Sequence, residues 1–124
     1  MATEPLRAAL QLQRRAAEIG FDWPDLVSVW AKLDEEWREL AEARSQGPQR
    51  VAEEWGDVLF TVVNLARHLG VDPAAALDAA NVRFAARFAV VESAEETFPP
   101  PGDPARLAAM EACWQRAKGE VKRR

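Results

Sequence analysis

The sequence predicts an all-α protein: a four-helix-bundle-like unit with an additional C-terminal helix, forming one domain over residues 1–124. Three observations predict it. Apolar residues recur at three- and four-residue steps over long stretches, and no run alternates with the period of two that a strand requires. The prolines fall at the edges of those stretches or between them. At 124 residues the chain suffices for one domain and one core, at the small end where burial is incomplete and oligomerisation helps.

The first helix is read over "PLRAALQLQRRAAEI", Pro5 to Ile19, rich in Ala, Leu, Gln and Arg and stopped by Gly20. "FDWP" connects it to a second helix, with Pro24 suited to the first turn, where a missing N–H costs nothing. Along that helix Leu26, Val29, Trp30, Leu33, Trp37 and Leu40 form the apolar stripe. Gly47-Pro48 ends it. Val51, Trp55, Leu59, Val62, Val63, Ala66 and Leu69 repeat the pattern in a third helix that stops at Gly70. Asp72-Pro73 opens a fourth through "AAALDAANVRFAARFAVVES". "FPPPGDP", Phe98 to Pro104, reads as a rigid linker, and Asp103-Pro104 restarts a last helix toward the basic tail. Nothing repeats at a solenoid period beyond two "EEW" stretches.

Composition excludes several classes. The formal charge is -4 and the isoelectric point about 5.1, so no basic footprint for DNA, RNA or an anionic membrane is present. Cys113 is the single cysteine and cannot close an internal disulfide. No signal-like segment opens "MATEPLRAAL", and no apolar run approaches membrane-spanning length. A reducing cytoplasm is the expected setting.

The two "EEW" stretches carry the chemistry. At about 100° per residue, Glu36 and Glu39 lie roughly 60° apart on the second helix, with Lys32 on the same flank and Glu35 further toward solvent. Glu54 and Asp57 are related in the same way on the third helix, and Thr61 and His68 continue that polar stripe. The short Gly47-Pro48 turn predicts an antiparallel hairpin. Each acid pair then stands about nine residues from the turn, roughly 13 Å along the axis, so the pairs come level. Two like charges about 4 Å apart repel by roughly 4 kcal/mol at an effective dielectric near 20, so four level carboxylates call for cations. Oxygen ligands without cysteines or paired histidines select Mg²⁺ or Mn²⁺. A di-iron bundle would need two Glu-x-x-His motifs, and this chain has only His68, with no Glu three residues before it.

"EEWRE" followed after fourteen residues by "EWGD" resembles the E-E-x-x-E…E-x-x-D motif of the all-α nucleoside triphosphate pyrophosphohydrolases. "GFDWP", "VNLARHLGVDPAAAL", "ANVRFAARF" and "MEACWQRAK" are similar to the MazG family, in particular to the C-terminal domain of the two-domain MazG proteins, over about Leu6 to Lys118. The resemblance implies hydrolysis of a (deoxy)nucleoside triphosphate between its α- and β-phosphates. Divalent metal would be held by Glu36, Glu39, Glu54 and Asp57, and one carboxylate of the group, with Glu35 the less favoured, would receive the proton of the attacking water. Asn81, Arg83 and Arg87 would supply donors to phosphate or sugar, Trp114 would stack on the base, and Lys118 would reach phosphate. Arg83 stands where the family usually has lysine, which keeps the charge but changes the geometry.

Other residues admit structural roles. Lys32 either binds phosphate or pairs with Glu36. Asn64 and His68 read as satisfied polar groups, Trp23 as an anchor of the first connection, and Phe84 and Phe88 as a core stripe. Trp37 and Trp55 replace the smaller aliphatic residues usual beside the acids, either narrowing the pocket or filling the core differently. A homodimer or dimer of dimers is expected, because the second and third helices have apolar faces wide enough to need more cover than a short chain supplies. The competing readings are a helical interaction or nucleotide-sensing module without turnover, and a relative specialised for dCTP, dUTP or phosphoribosyl-ATP.

Overall fold

The computed structural model describes residues 4–121. It contains five α-helices: α1 (Pro5–Glu18), α2 (Leu26–Ala43), α3 (Pro48–His68), α4 (Pro73–Ser93) and α5 (Ala105–Val121). A single 3₁₀ turn, Glu95–Thr97, precedes the proline-rich linker. No strand occurs among the described residues, and no described helix is long and apolar enough to cross a membrane.

The helix ends follow local chemistry. The Glu4 carboxylate caps α1 by accepting from the Leu6 and Arg7 N–H groups. Gly20 leaves it at φ 87°, and the Phe21 N–H returns to the Ala16 carbonyl at 2.9 Å. The α2 start differs from the sequence reading. Asp25, and not Pro24, sets it, because the Asp25 carboxylate accepts from the Ser28 N–H at 2.8 Å and leaves Pro24 outside the helix. Gly47 adopts φ 98° immediately before Pro48, which takes the first turn of α3. Asp72 and Asp103 cap the starts of α4 and α5.

The chain divides into two compact units, one running to Ala76 and one beginning at Leu77. In the first, α2 and α3 form the antiparallel hairpin and α1 packs on α3. The hairpin core is Val29, Leu33, Val58 and Leu65, flanked by Leu26 and Leu40. Fully burying a side chain such as Val29 or Val58 contributes roughly 1.5–3 kcal/mol, and the half-buried Leu26 and Leu40 contribute less.

The buried rows are not the most hydrophobic ones. On α2 the buried or half-buried row is Leu26, Val29, Leu33, Glu36, Leu40 and Ala43; on α3 it is Val51, Glu54, Val58, Thr61 and Leu65. Both rows step by three and four alternately, the spacing of a knobs-into-holes seam, and a glutamate occupies each. Trp30, Trp37, Trp55, Leu59 and Leu69, expected in the stripes, are instead 46–52 % exposed. The seam runs through the acids, and these large residues flank it.

In the second unit Val91, Cys113 and Ala117 are buried. Phe84 and Phe88 stack at 5.8 Å with planes 16° apart, but they are 57 % and 41 % exposed and do not form the expected core stripe. The small, buried faces of Cys113 and Ala117 occupy the interior there.

Candidate metal centre and nucleotide site

The hairpin seam brings three predicted acids together. Glu36, Glu54 and Asp57 each offer a carboxylate oxygen, all within 4.8 Å of one another. Glu36 and Glu54 are 5 % exposed, while Asp57 opens to solvent. Glu39 stands outside this trio, one turn from Glu36. Its carboxyl is nonetheless pushed above the usual carboxylate range, chiefly by the charge of Glu36, then by burial and by Glu54 and Glu35.

Each buried glutamate has one cationic neighbour on its own helix. Lys32 Nζ lies 3.1 Å from Glu36 Oε1 and 3.6 Å from Glu35, and the hydrogen bond to Glu36 raises the lysine's affinity for its proton. Arg50 Nη2 donates to Glu54 Oε1 at 2.6 Å, and its Nη1 donates to Glu53. Lys32 is thus placed against the acid, the pairing alternative for that residue. Arg50 was missed in the sequence, although the signal was available. "RVAEEW" repeats "KLDEEW" eighteen positions later, with the cation three and four residues before two glutamates in both.

The second oxygens decide what the site can hold. Glu36 Oε2 and Glu54 Oε2 are buried and have no hydrogen-bond partner among the described residues. A buried anionic oxygen without a partner is costly, and two of them beside Asp57 form an oxygen-only donor set suited to a hard dication. Charge agrees with that fit: the four acids Glu36, Glu39, Glu54 and Asp57 against Lys32 and Arg50 leave two negative charges. Glu35 is more than half exposed and contacts Lys32.

The remaining candidates lie on the second unit. Asn81, Arg83 and Lys118 are exposed. Arg87 sits 6.0 Å from the centroid of the Trp114 ring, and its Nε is buried without a partner. Trp114 packs against Phe84 at 5.0 Å and joins Phe88, Val91, Met110 and Glu111 around a small concavity. Asn64 and His68 are satisfied as expected: Asn64 Oδ1 accepts from Arg67 at 2.7 Å, and His68 Nε2 lies 3.1 Å from Asp22 Oδ1. Trp23, the expected loop anchor, is 42 % exposed and lines a cavity of about 310 Å³ between α1 and α3, which the clustered acids do not border.

An all-helical chain whose antiparallel hairpin buries glutamates in its seam, each with an unpartnered oxygen, has the make-up of a cation-binding helical domain. The chain belongs to the phosphoribosyl-ATP pyrophosphohydrolase family, whose model matches residues 8–84. That segment holds every acid of the cluster, Lys32, Arg50, Asn81 and Arg83, and stops short of Arg87, Trp114 and Lys118. The chain is 39 % identical over 114 residues to the nucleoside triphosphate pyrophosphohydrolase/pyrophosphatase MazG of Thermotoga maritima, covering 92 % of this chain and 44 % of that protein. It is 40 % identical over 116 residues to a nucleoside triphosphate pyrophosphohydrolase of Escherichia coli K12, covering 91 % of this chain and 44 % of that one. The MazG resemblance carried by the acidic motif is therefore upheld. The chain spans less than half the length of these relatives.

Proposed function

We propose that residues 1–124 act as one metal-dependent nucleoside triphosphate pyrophosphohydrolase domain, converting a (deoxy)nucleoside triphosphate to its monophosphate and pyrophosphate. The observation that carries this reading is the pair of buried, unpartnered oxygens of Glu36 and Glu54 beside Asp57. Glu36, Glu39, Glu54 and Asp57 would hold Mg²⁺, with Mn²⁺ accepted by the same oxygen donors. When bound, such an ion neutralises phosphate oxygens and acidifies a coordinated water. The chain's own groups do the rest. The Lys32 side chain is 33 % exposed and that of Arg50 46 %. Their open heads flank the acids and offer donors to phosphate oxygens, Arg50 through a planar fork. A carboxylate of the group, Glu35 included, takes the proton of the attacking water. Asn81, Arg83, Arg87 and Lys118 supply further donors, and the partly exposed Trp114 offers a stacking surface for the base.

The exposed Trp30, Trp37, Trp55 and Leu59 beside the seam support a homodimer or dimer of dimers, since apolar side chains of that size in one region mark an interaction face, and the single cysteine fits the proposed cytoplasmic setting. A second reading has a specific ground. The family description names phosphoribosyl-ATP, so specialisation for that substrate competes with the broader triphosphate activity suggested by the relatives' names.

The test is a panel of (d)NTPs and phosphoribosyl-ATP with Mg²⁺, with both products identified and ¹⁸O-water used to locate attack. Monophosphate and pyrophosphate are expected, with the label in the monophosphate if water attacks the α-phosphate. Inorganic phosphate as first product would overturn the reaction. Tight nucleotide binding without turnover would favour a sensing module.

A further inference from the structure

Arg50 is held by two acids of unequal standing. Its Nη2 donates to Glu54 Oε1 at 2.6 Å, and its Nη1 donates to Glu53 Oε2 at 2.5 Å. Glu54 is buried and belongs to the acid trio, whereas Glu53 is half exposed and lies outside it. Both outer nitrogens of the guanidinium are therefore engaged on carboxylates, although the side chain is itself half open to solvent. The matching cation on α2 is held more loosely. Lys32 Nζ lies 3.1 Å from the buried Glu36 but 3.6 Å from Glu35, beyond a hydrogen bond, and its ammonium turns freely about the stem. The firm second grip is found on α3 alone, and the acid that supplies it is Glu53.

A phosphate reaching Arg50 must take a nitrogen from one of its two acids, and burial decides which. Parting Arg50 from Glu54 would leave a buried carboxylate with neither oxygen paired, because Glu54 Oε2 already lacks a partner among the described residues. Breaking a buried pair in that way is strongly destabilising. Glu53 instead returns to water when released, and exposed ion pairs of this kind are weak. The guanidinium therefore keeps Nη2 on Glu54 and exchanges Glu53 for a phosphate oxygen at Nη1. Carboxylate and phosphate use the same planar donors, so the two are alternatives.

We infer that Glu53 is a positioning residue that competes with substrate phosphate for Arg50. It parks the guanidinium while the site is empty, yields Nη1 to a phosphate oxygen, and recaptures it as pyrophosphate leaves. Its substrate is that of the proposed pyrophosphohydrolase reading, on which the inference rests, but Glu53 itself neither holds metal nor takes a proton.

The experiment compares Glu53→Gln with the parent chain on two readouts. Isothermal titration with inorganic triphosphate and with pyrophosphate, both in Mg²⁺, should show binding about two- to fivefold tighter in the variant, the range that loss of an exposed ion pair supports. With a hydrolysed (d)NTP, KM should fall by a similar factor and kcat should change less. In an Arg50→Met background the same Glu53→Gln change should leave triphosphate affinity unaltered, since no guanidinium remains to be parked. A general loss of negative charge would tighten binding equally with or without Arg50. Arg50→Gln, whose amide can donate to Glu54, serves if Arg50→Met fails to fold. The titrations need no turnover, so a chain that binds triphosphate and hydrolyses nothing would sink the proposed reaction while the binding comparison still decides the role of Glu53. Unchanged affinity in Glu53→Gln, equal tightening in both backgrounds, or a large loss of kcat at unchanged KM would overturn the assignment.

Discussion

The indole rings of Trp37 and Trp55 meet edge to face, with centroids 6.0 Å apart and planes at 77°. Each follows directly on a seam glutamate, and the pair marks a local pseudo-twofold relation within the α2/α3 hairpin. Lys32, Glu35, Glu36 and Trp37 on one helix correspond to Arg50, Glu53, Glu54 and Trp55 on the other, and Glu39 corresponds to Asp57. Two copies of one short pattern thus close on each other, and with Lys32 and Arg50 paired to the two buried glutamates, Glu39 and Asp57 leave two negative charges for a cation to balance.

Removing a cation from this arrangement should expose that need. Arg50→Met keeps the aliphatic packing but leaves Glu54 buried without its partner, which is expected to lower the urea midpoint in chelator. Millimolar Mg²⁺ should restore part of it, because the ion supplies the missing positive charge. Urea unfolding with and without Mg²⁺ measures both effects. Equal losses in the two conditions would separate Arg50 from the metal site.

Asp57→Asn should act in the opposite direction. Asp57 adds a third carboxylate within 4.8 Å of two buried ones, and no cation pairs with it among the described ion pairs. Relief of that repulsion is expected to raise the melting temperature of the metal-free protein by a few degrees, on the order of 0.5–1 kcal/mol. The same change should abolish the stabilisation by Mg²⁺ and reduce turnover by at least about a hundredfold. A melting temperature lowered in chelator, with the Mg²⁺ response intact, would rule out Asp57 as a ligand.

Much of this was legible because helix ends are written locally. Gly20, Gly47-Pro48, Gly70 and Asp72-Pro73 fix chain direction within two or three residues, so the sequence alone finds each helix, with the α2 start displaced, and levels Glu36 with Glu54 and Asp57. The face buried between α2 and α3 was less legible. Counting apolar residues favours Trp30, Trp37, Trp55 and Leu59, yet the short Gly47-Pro48 turn sets a seam that passes through Glu36, Glu54 and Thr61. Hydrophobicity ranks side chains singly, and here the relative placement of two helices decides. Arg50 escaped notice for a simpler reason: its significance appears only once Glu54 is known to be buried. The "FDWP" network joins residues far apart in sequence, and no local pattern announces it.

That network makes acid stability measurable. The Asp22 carboxyl is held down to about 2 from 3.8, chiefly by the hydrogen bond from Arg67, with burial opposing and His68 and the Trp23 N–H assisting. A lowered carboxylate pKa adds stability that is present above about pH 4 and fades as pH falls toward 2. Asp22 is partly open to solvent, so the expected contribution is roughly 1 kcal/mol. Asp22→Asn should therefore be less stable than the parent at pH 6 and converge on it near pH 2. A constant gap in urea midpoints between pH 6 and pH 2 would mean that charge on Asp22 is not the source.

Trp114 separates base recognition from packing. Its ring touches Phe84 at 5.0 Å and lies under Arg87 at 6.0 Å, yet it remains partly exposed beside a concavity, so both roles are physically open to it. If the base stacks there, Trp114→Ala loses a π-face worth roughly 1–3 kcal/mol, which raises KM by about 5- to 150-fold. Its kcat should change less than in Asp57→Asn, because the base is remote from the bond that breaks. Trp114→Phe retains a smaller face and should recover part of the binding. Packing against Phe84 predicts a different pattern: the melting temperature falls in Trp114→Ala, recovers in Trp114→Phe, and KM stays put. Steady-state kinetics and thermal melting on the same two variants therefore give opposite signatures, and an unchanged KM with a large melting loss would move the base-binding surface away from Trp114.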